Sequence, residues 1–548
     1  MVKNKKNPAF LILTASSVIV TLILTPWVNV DSLVIPKLVV LFSAAMYLLP
    51  FIFINIKSFL SQRPLKFLFV LSVLMILQMI LVMIFSSAPI EQQVFGKTGR
   101  GLGFLTEMSF LIMMLAAASY AEINKIHFLI NGMVFSAVIT SVYSILQKNG
   151  LDFVDWYTRT NGIIGTLGNP NFQAAFAAIA IVPSLSYFFL KSIKSKIFSV
   201  FIFSILIYVI YLSQSTQGYL IAVLSVVVSI LIYLWYKNKS FFVISAIFTF
   251  IAGMVAILGM LNNGPLASTL YKYSVKSRGE FFRTAISATK DNPVFGVGLD
   301  SFGDFSTIYK SAKDAAGVNE SVDNAHNYFL NYAANGGILL ALLYIAITVL
   351  ALISFFKLQK QVGKFNIKLS ALFSAWVGFQ AQSVISPGTI PIILNGMILN
   401  GALIGLSVRG LISDQKLALN YNLFRPFSYF LVIISLLITY PYYNVDRLQL
   451  KSLNTNDGLL AIKAATSYPE SSLRYARIGT KLLESNLGKE GLEVGRAAVK
   501  FNPNSISAWA LILANSTAPL QERQFALKEI LRLDPYNQKI REIESVLK

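Results

Sequence analysis

The chain has 548 residues, 55% of them hydrophobic and only 13% charged, with a formal net charge of +21. That balance is too apolar for a soluble enzyme of this length and makes a lipid bilayer part of its solvent. With no cysteine, thiolate metal sites, disulfides and thiol nucleophiles are excluded.

About thirteen stretches of roughly twenty apolar residues follow one another as far as Tyr443. They centre near Val18, Ala45, Ile76, Met113, Ser136, Ala180, Ser204, Val227, Ala252, Leu343, Ala375, Met397 and Ile433. They predict an all-α, polytopic transmembrane domain over residues 1–443. The first is embedded in the series and lacks a small-residue cleavage site, so it reads as a span rather than a removable signal peptide.

The positive charge follows topology rather than a nucleic-acid surface. Lys3, Lys5 and Lys6 precede the first span, and every second connection is again basic: Lys57, Arg63 and Lys66; Lys125; Lys191, Lys194 and Lys196; Lys237 and Lys239; Lys357 to Lys368; Arg409, Lys416 and Arg425. The alternate connections hold few cations or none. The positive-inside rule then puts the amino terminus in the cytoplasm. An odd number of spans puts the tail and the long polar loop, about 262–331, outside it.

In that loop, Ser277-Arg278-Gly279-Glu280 fits a capping box, with Ser277 at the N-cap and Glu280 at the third helical position. The helix it predicts is short and amphipathic, running to about Lys290. Its apolar side chains Phe281, Phe282, Ala285, Ile286 and Ala288 centre on the face that carries Arg278, while Arg283, Ser287 and Lys290 point the other way. Arg283 reads as solvated or headgroup-facing. A guanidinium on the buried face of a first helical turn needs an anion, which the free N–H groups there also favour. A phosphate or diphosphate satisfies both, and so does an ion pair with Asp300, Asp304 or Asp323.

The glycines of "DNPVFGVGLDSFGDF" have no strand-to-helix context for a phosphate cradle and read as packing. In "VDNAHNYFLNYAANGG", Asp323 or Asn324 can cap a helix that continues into the tenth span, placing His326 in its first exposed turn. Of the two histidines, His127 sits in the apolar run "IHFLI" and reads as a core residue. His326 is flanked by Asn324, Asn327 and Asn331, and a helix N-terminus disfavours its protonated form, leaving a neutral ring able to accept a proton. Asp300 and Asp304 offer oxygen ligands, but with no second histidine near in sequence no metal or other cofactor is expected.

From Asn444 onward the chain turns into amphipathic helical sequence, enough for a small domain over 444–548. Tyr468-Pro469, Asn502-Pro503 and Asp534-Pro535 lie 34 and 32 residues apart. Each closes one helical pattern and opens the next, which resembles the tetratricopeptide period and a concave surface for a protein partner.

Four segments together resemble the O-antigen ligase and O-antigen polymerase superfamily: "GTLGNPNFQAA", "LSQSTQGYLIAV", "SRGEFFRTAISATKDNPVFGVG" and "AHNYFLNYAANGGILLALLY". The last two are the specific ones, and the four cover roughly Thr166 to Tyr344. The resemblance implies a multi-pass enzyme of the bacterial cytoplasmic membrane. Such an enzyme moves a glycan from a polyprenyl diphosphate carrier to a hydroxyl of a glycan, lipid or protein acceptor. It implies that Arg278 is the family's loop arginine and His326 its essential histidine. Where many members have serine-arginine-glycine, this chain reads Thr216-Gln217-Gly218; Arg159 or neutral hydrogen bonds from Gln217 would have to stand in. Arg283 and Asn327, polar neighbours of the two principal residues, complete the expected substrate-binding set.

Three alternatives remain for the same spans. A transporter or flippase for lipid-linked sugars should show intramembrane charges or interrupted, paired halves, and Glu107 is the nearest such charge. A scaffold built around the outward repeats leaves Arg278 and His326 without a purpose. A protein O-oligosaccharyltransferase shares the loop motifs and differs only in its acceptor.

Overall fold

The computed structural model describes residues 8–54, 56–154, 156, 162–317, 322–409 and 421–547. Every regular element among the described residues is helical, and each of the thirteen predicted spans falls on a helix or a close succession of helices. Ten are long and apolar enough to cross a membrane, from Ile35–Ile54 to Phe424–Leu453. Two more, Ala9–Leu22 and Phe104–Tyr120, are apolar but shorter. The remaining one, Ile367–Ile385, is a 19-residue helix that carries Ser370, Ser374, Gln380 and Gln382 among its apolar residues.

The centre of the bundle is Ile390–Arg409 packed on Phe104–Tyr120, both nearly all buried. Small residues permit this: a Cβ on Gly401 would lie 2.0 Å from the Met114 carbonyl oxygen, and one on Gly405 2.4 Å from that of Ala118. Backbones that approach so closely gain the packing that must hold helices together where lipid tails are as apolar as leucine. At the periphery, Lys239–Met260 buries only Gly259 and turns its apolar surface outward, as a lipid-facing helix does.

The tenth-span helix, Tyr328–Val362, is broken at Gly337, whose φ is +83°. The loop segment 293–298 fills the break. Ile338 N–H donates to the Pro293 carbonyl at 2.8 Å, Val297 N–H to Ala334 at 2.8 Å and Gly298 N–H to Asn335 at 3.1 Å. Gln78, from the helix Arg63–Phe85, donates to the Val294 and Gly336 carbonyls at 2.7 and 2.9 Å. The backbone groups freed by the break are thus re-bonded inside the protein, as buried backbone groups require. A Cβ on Gly296 would sit 2.4 Å from the Asn335 carbonyl carbon. The glycines of this segment serve packing, as their context predicted.

The loop helix Tyr273–Asp291 buries Phe281, Ala285 and Ala288 against Val297, Phe302 and Phe305. The last membrane helix, Tyr421–Leu453, runs on past Tyr443 without a break. Beyond it, Ser472–Glu484 pairs with Gly488–Phe501 and Ile506–Ala514 with Leu520–Leu533. Tyr475, Ile478, Leu482, Val494 and Ala498 form one core, and Trp509, Ile512, Leu527 and Ile530 the next. Each buried large aliphatic side chain contributes about 1.5–3 kcal/mol. The proline turns at 469, 503 and 535 fall between helices, where the periodicity put them.

Candidate active site

Two expected helix starts are displaced. The loop helix begins at Tyr273, with Lys272 in the N-cap position, so Ser277 lies inside it and its hydroxyl donates to the Tyr273 carbonyl at 2.9 Å. Nothing in Tyr273-Ser274-Val275-Lys276 breaks a helix, and propagation carries it one turn further back. The capping box is therefore not formed, and Arg278 gains nothing from free N–H groups. The tenth-span helix begins at Tyr328, and its N-cap is Asn327, whose Oδ1 accepts from Leu330 N–H at 3.0 Å. Neither Asp323 nor Asn324 caps it. The Asn324 Oδ1 instead accepts from His326 N–H at 2.8 Å, closing a turn in which His326 is left-handed, φ +51°. His326 thus precedes the helix rather than belonging to its first turn.

Arg278 is half-buried. Its Nη1 donates to the Ser274 carbonyl and its Nη2 to Gln217 Oε1, each at 3.3 Å, and its Nε is buried without an acceptor. Burial lowers its pKa, but a guanidinium stays charged. Among the described residues it has no carboxylate partner. The three candidates are engaged elsewhere: Asp304 with Lys97 at 2.8 Å, Asp323 with Arg100 at 3.2 Å, and Asp300 with Arg100 at 3.8 Å. The structural ion pair considered for Arg278 is not made.

Gln217 sits at the start of the helix Thr216–Lys237, fixed there by Ser215, whose hydroxyl accepts from Gly218 N–H. Its Nε2 donates to Gln382 Oε1 near the C-terminal end of Ile367–Ile385. Gln382 is 1% exposed and its Nε2 has no acceptor. Three elements remote in sequence thus meet in one chain of groups, Arg278, Gln217 and Gln382, that leaves two buried donors without acceptors. Such donors are costly to bury unless something accepts from them. The sequence reading missed Gln382, because a glutamine near a span end carries no motif.

His326 packs against Phe281, ring centroids 5.0 Å apart with the planes tilted by 38°. Phe281 is three residues after Arg278 and so a neighbour on the same helix face. His326 Nδ1 is buried without a partner. Burial first, then the Arg278 charge, lowers its pKa to about 4 against an opposing pull from Asp323. The ring is neutral at physiological pH, through burial and Arg278 rather than through a helix terminus.

The other expected residues lie apart from this cluster or hold the frame. Arg283 is on the far side of the loop helix, paired with Asp314 at 2.6 Å. Asn327, besides capping, donates to the Val384 carbonyl at 3.0 Å, tying the tenth-span helix to the end of the next. Arg159 lies outside the described residues. Glu107 is buried and accepts from the Tyr332 and Tyr328 hydroxyls at 2.6 and 3.1 Å. Among the described residues no three His, Asp or Glu side chains converge as metal ligands; Asp300, for one, accepts from Lys97 and Leu102 N–H at 2.8 and 3.0 Å.

Residues 198–345 match the family described as O-antigen ligase, a span that contains Gln217, Arg278 and His326. The segment "GTLGNPNFQAA" and Gln382 fall outside it. An uncharacterized protein of Haemophilus influenzae is 25% identical over 253 residues, which make up 43% of this chain and 61% of that relative's length. Residues 198–345 thus resemble the O-antigen ligase family.

Proposed function

We propose that the protein transfers a glycan from a polyprenyl diphosphate carrier to an acceptor hydroxyl at the outer face of the bacterial cytoplasmic membrane, as a ligase or polymerase of surface polysaccharide. The carrying observation is the pairing of buried, acceptor-less donors on Arg278 and Gln382 with a neutral imidazole on His326 whose buried Nδ1 has no partner. Donors without acceptors suit an acceptor-only ligand such as a diphosphate, and a neutral imidazole suits a hydroxyl proton.

In this reaction the acceptor O–H bond breaks, its proton passing to His326. The oxygen bonds the anomeric carbon from the face opposite the leaving group, inverting it. The bond from that carbon to the diphosphate oxygen breaks, and the lipid diphosphate departs with the electron pair. Arg278 stabilises the charge gathering on that diphosphate, which is a transition-state role. Gln217, standing where many members of the resembled family have a second arginine, orients the guanidinium, and Gln382 offers a neutral N–H beside it. No metal takes part.

Basic connections on the opposite side put the amino terminus in the cytoplasm and the loop outside, and the C-terminal helical pairs share the loop's side. Those pairs resemble tetratricopeptide repeats and offer a surface for a protein partner.

The test is transfer in proteoliposomes from a lipid-linked donor. His326→Ala and Arg278→Ala should each abolish product while the protein remains folded by thermal unfolding in detergent. Full turnover by His326→Ala overturns the acid–base role. Flipping of the carrier without a new glycosidic bond favours the transporter instead.

A further inference from the structure

The C-terminal helical pairs sit against the loop through a strap formed by residues 89–103. On the strap, Thr98 and Ser471 hydroxyls are 2.6 Å apart, and Phe95 stacks on Tyr442 at 5.1 Å between ring centroids. In the turn between the two helical pairs, Asn502 is 1% exposed and its Nδ2 donates to Asp304 Oδ2 at 3.0 Å. Ile308, four residues on, packs against both the loop core and the core of the second helical pair.

From Asp304 the bonds continue to His326. Asp304 pairs with Lys97, whose backbone N–H is held by Asp300. Arg100, on the same strap, bridges Asp300 and Asp323. Asp323 Oδ1 accepts from Asn324 Nδ2 at 2.5 Å, and Asn324 Oδ1 fixes His326 N–H. His326 has no helical bond of its own, so its left-handed turn is held by this set.

We propose that the C-terminal helical pairs are a structural part of the transfer site, holding the strap and through it the His326 turn, with Asn502 as a positioning residue. The edge bearing Ser471, Ser472 and Asn502 is then occupied by the chain itself, and any partner surface lies elsewhere on the pairs. This rests on the transfer reading above.

The test uses the full-length protein in proteoliposomes with lipid-linked donor and acceptor. Asn502→Asp sets a carboxylate against Asp304; kcat per folded molecule should fall about tenfold, as for a lost hydrogen bond to a charged group, with the donor KM unchanged. Adding Asp304→Asn restores one amide and one carboxylate beside Lys97 and should recover most of kcat. An Asn502→Asp variant with unaltered kcat overturns the proposal if His326→Ala is inactive; if the wild-type protein itself forms no new glycosidic bond, the transfer reading has failed instead. Should Asn502 variants not fold, the absence of native cysteine allows a second arm, Thr98→Cys with Ser471→Cys. The oxidised, locked protein should keep its kcat. A loss of activity reversed by reductant would mean that the docked arrangement is not the working one.

Discussion

Arg278 Nη2 donates to Gln217 Oε1 at 3.3 Å, joining the loop helix to the first turn of a membrane helix 61 residues earlier in the chain. The contact converts a flexible loop cation into one anchored on a span, and Gln217 in turn hands its own amide to Gln382. Removing Gln382's N–H with Gln382→Ala should lower kcat/KM for the lipid-linked donor by about 10- to 100-fold, the cost of one hydrogen bond to a charged group. Gln382→Glu keeps the shape but presents an acceptor to the diphosphate, and should cost more. Equal activity of Gln382→Glu and wild type, measured as initial transfer rate against donor concentration, would exclude the amide from the donor site.

The pH profile carries the sign of the Arg278–His326 interaction. His326 is held at about pH 4, first by burial and then by Arg278, so the unliganded enzyme keeps a neutral imidazole down to that range. Since kcat/KM reports the free enzyme, its acidic limb should fall well below the ordinary histidine pKa of about 6.5. A bound diphosphate offsets the Arg278 charge, so the limb of kcat should lie at higher pH than that of kcat/KM. Arg278→Gln should move the limb of its residual kcat/KM upward, only part of the way because burial remains. Coincident limbs for kcat and kcat/KM in the wild type would show that His326 does not sense the donor's charge.

How much of this was legible in the sequence depends on whether a feature is local. The spans were legible because twenty apolar residues are a local signal, and the turns at Pro503 and Pro535 because a proline after Asn or Asp in polar, amphipathic sequence favours a turn. Arg278's place on the apolar face followed from helical period alone and survived the shift of the helix start, since the period is indifferent to where counting begins. The starts themselves were misplaced. Ser277 and Asn324 are good caps in isolation, but Tyr273–Lys276 adds a turn before one, and Asn327 outcompetes the other. Gln382, 165 residues from Gln217, and the Gly337 break that receives Pro293 and Val294 are tertiary facts with no local trace.

Arg283 separates a substrate contact from a frame contact. Its guanidinium is largely exposed and reaches Asp314, whose carboxylate is buried and also accepts from Ser311 at 2.8 Å. Arg283→Ala should leave the donor KM within about twofold of wild type, because surface-exposed pairs contribute only about 0–1 kcal/mol. It should instead raise amide exchange across the short helix Ala312–Gly317. A tenfold rise in donor KM with unchanged exchange would return Arg283 to the substrate site.

The break at Gly337 is where the fold has least tolerance. A Cβ there would lie 2.1 Å from the Val294 carbonyl oxygen, and the residue's φ of +83° is itself unfavourable to any other side chain. Gly337→Ala must either straighten the helix or push residues 293–298 outward. Overpacking and the left-handed backbone together cost about 3 kcal/mol, which should appear as a lower midpoint of thermal unfolding in detergent. The displaced segment leads directly into Leu299 and Asp300, so the loss should extend to the strap contacts and to transfer. Gly363→Ala, also at positive φ but with no atom within 4 Å of the added Cβ, carries only the backbone cost. It should lower the midpoint by a smaller amount and leave transfer intact, which separates the steric consequence of filling the break from the conformational one.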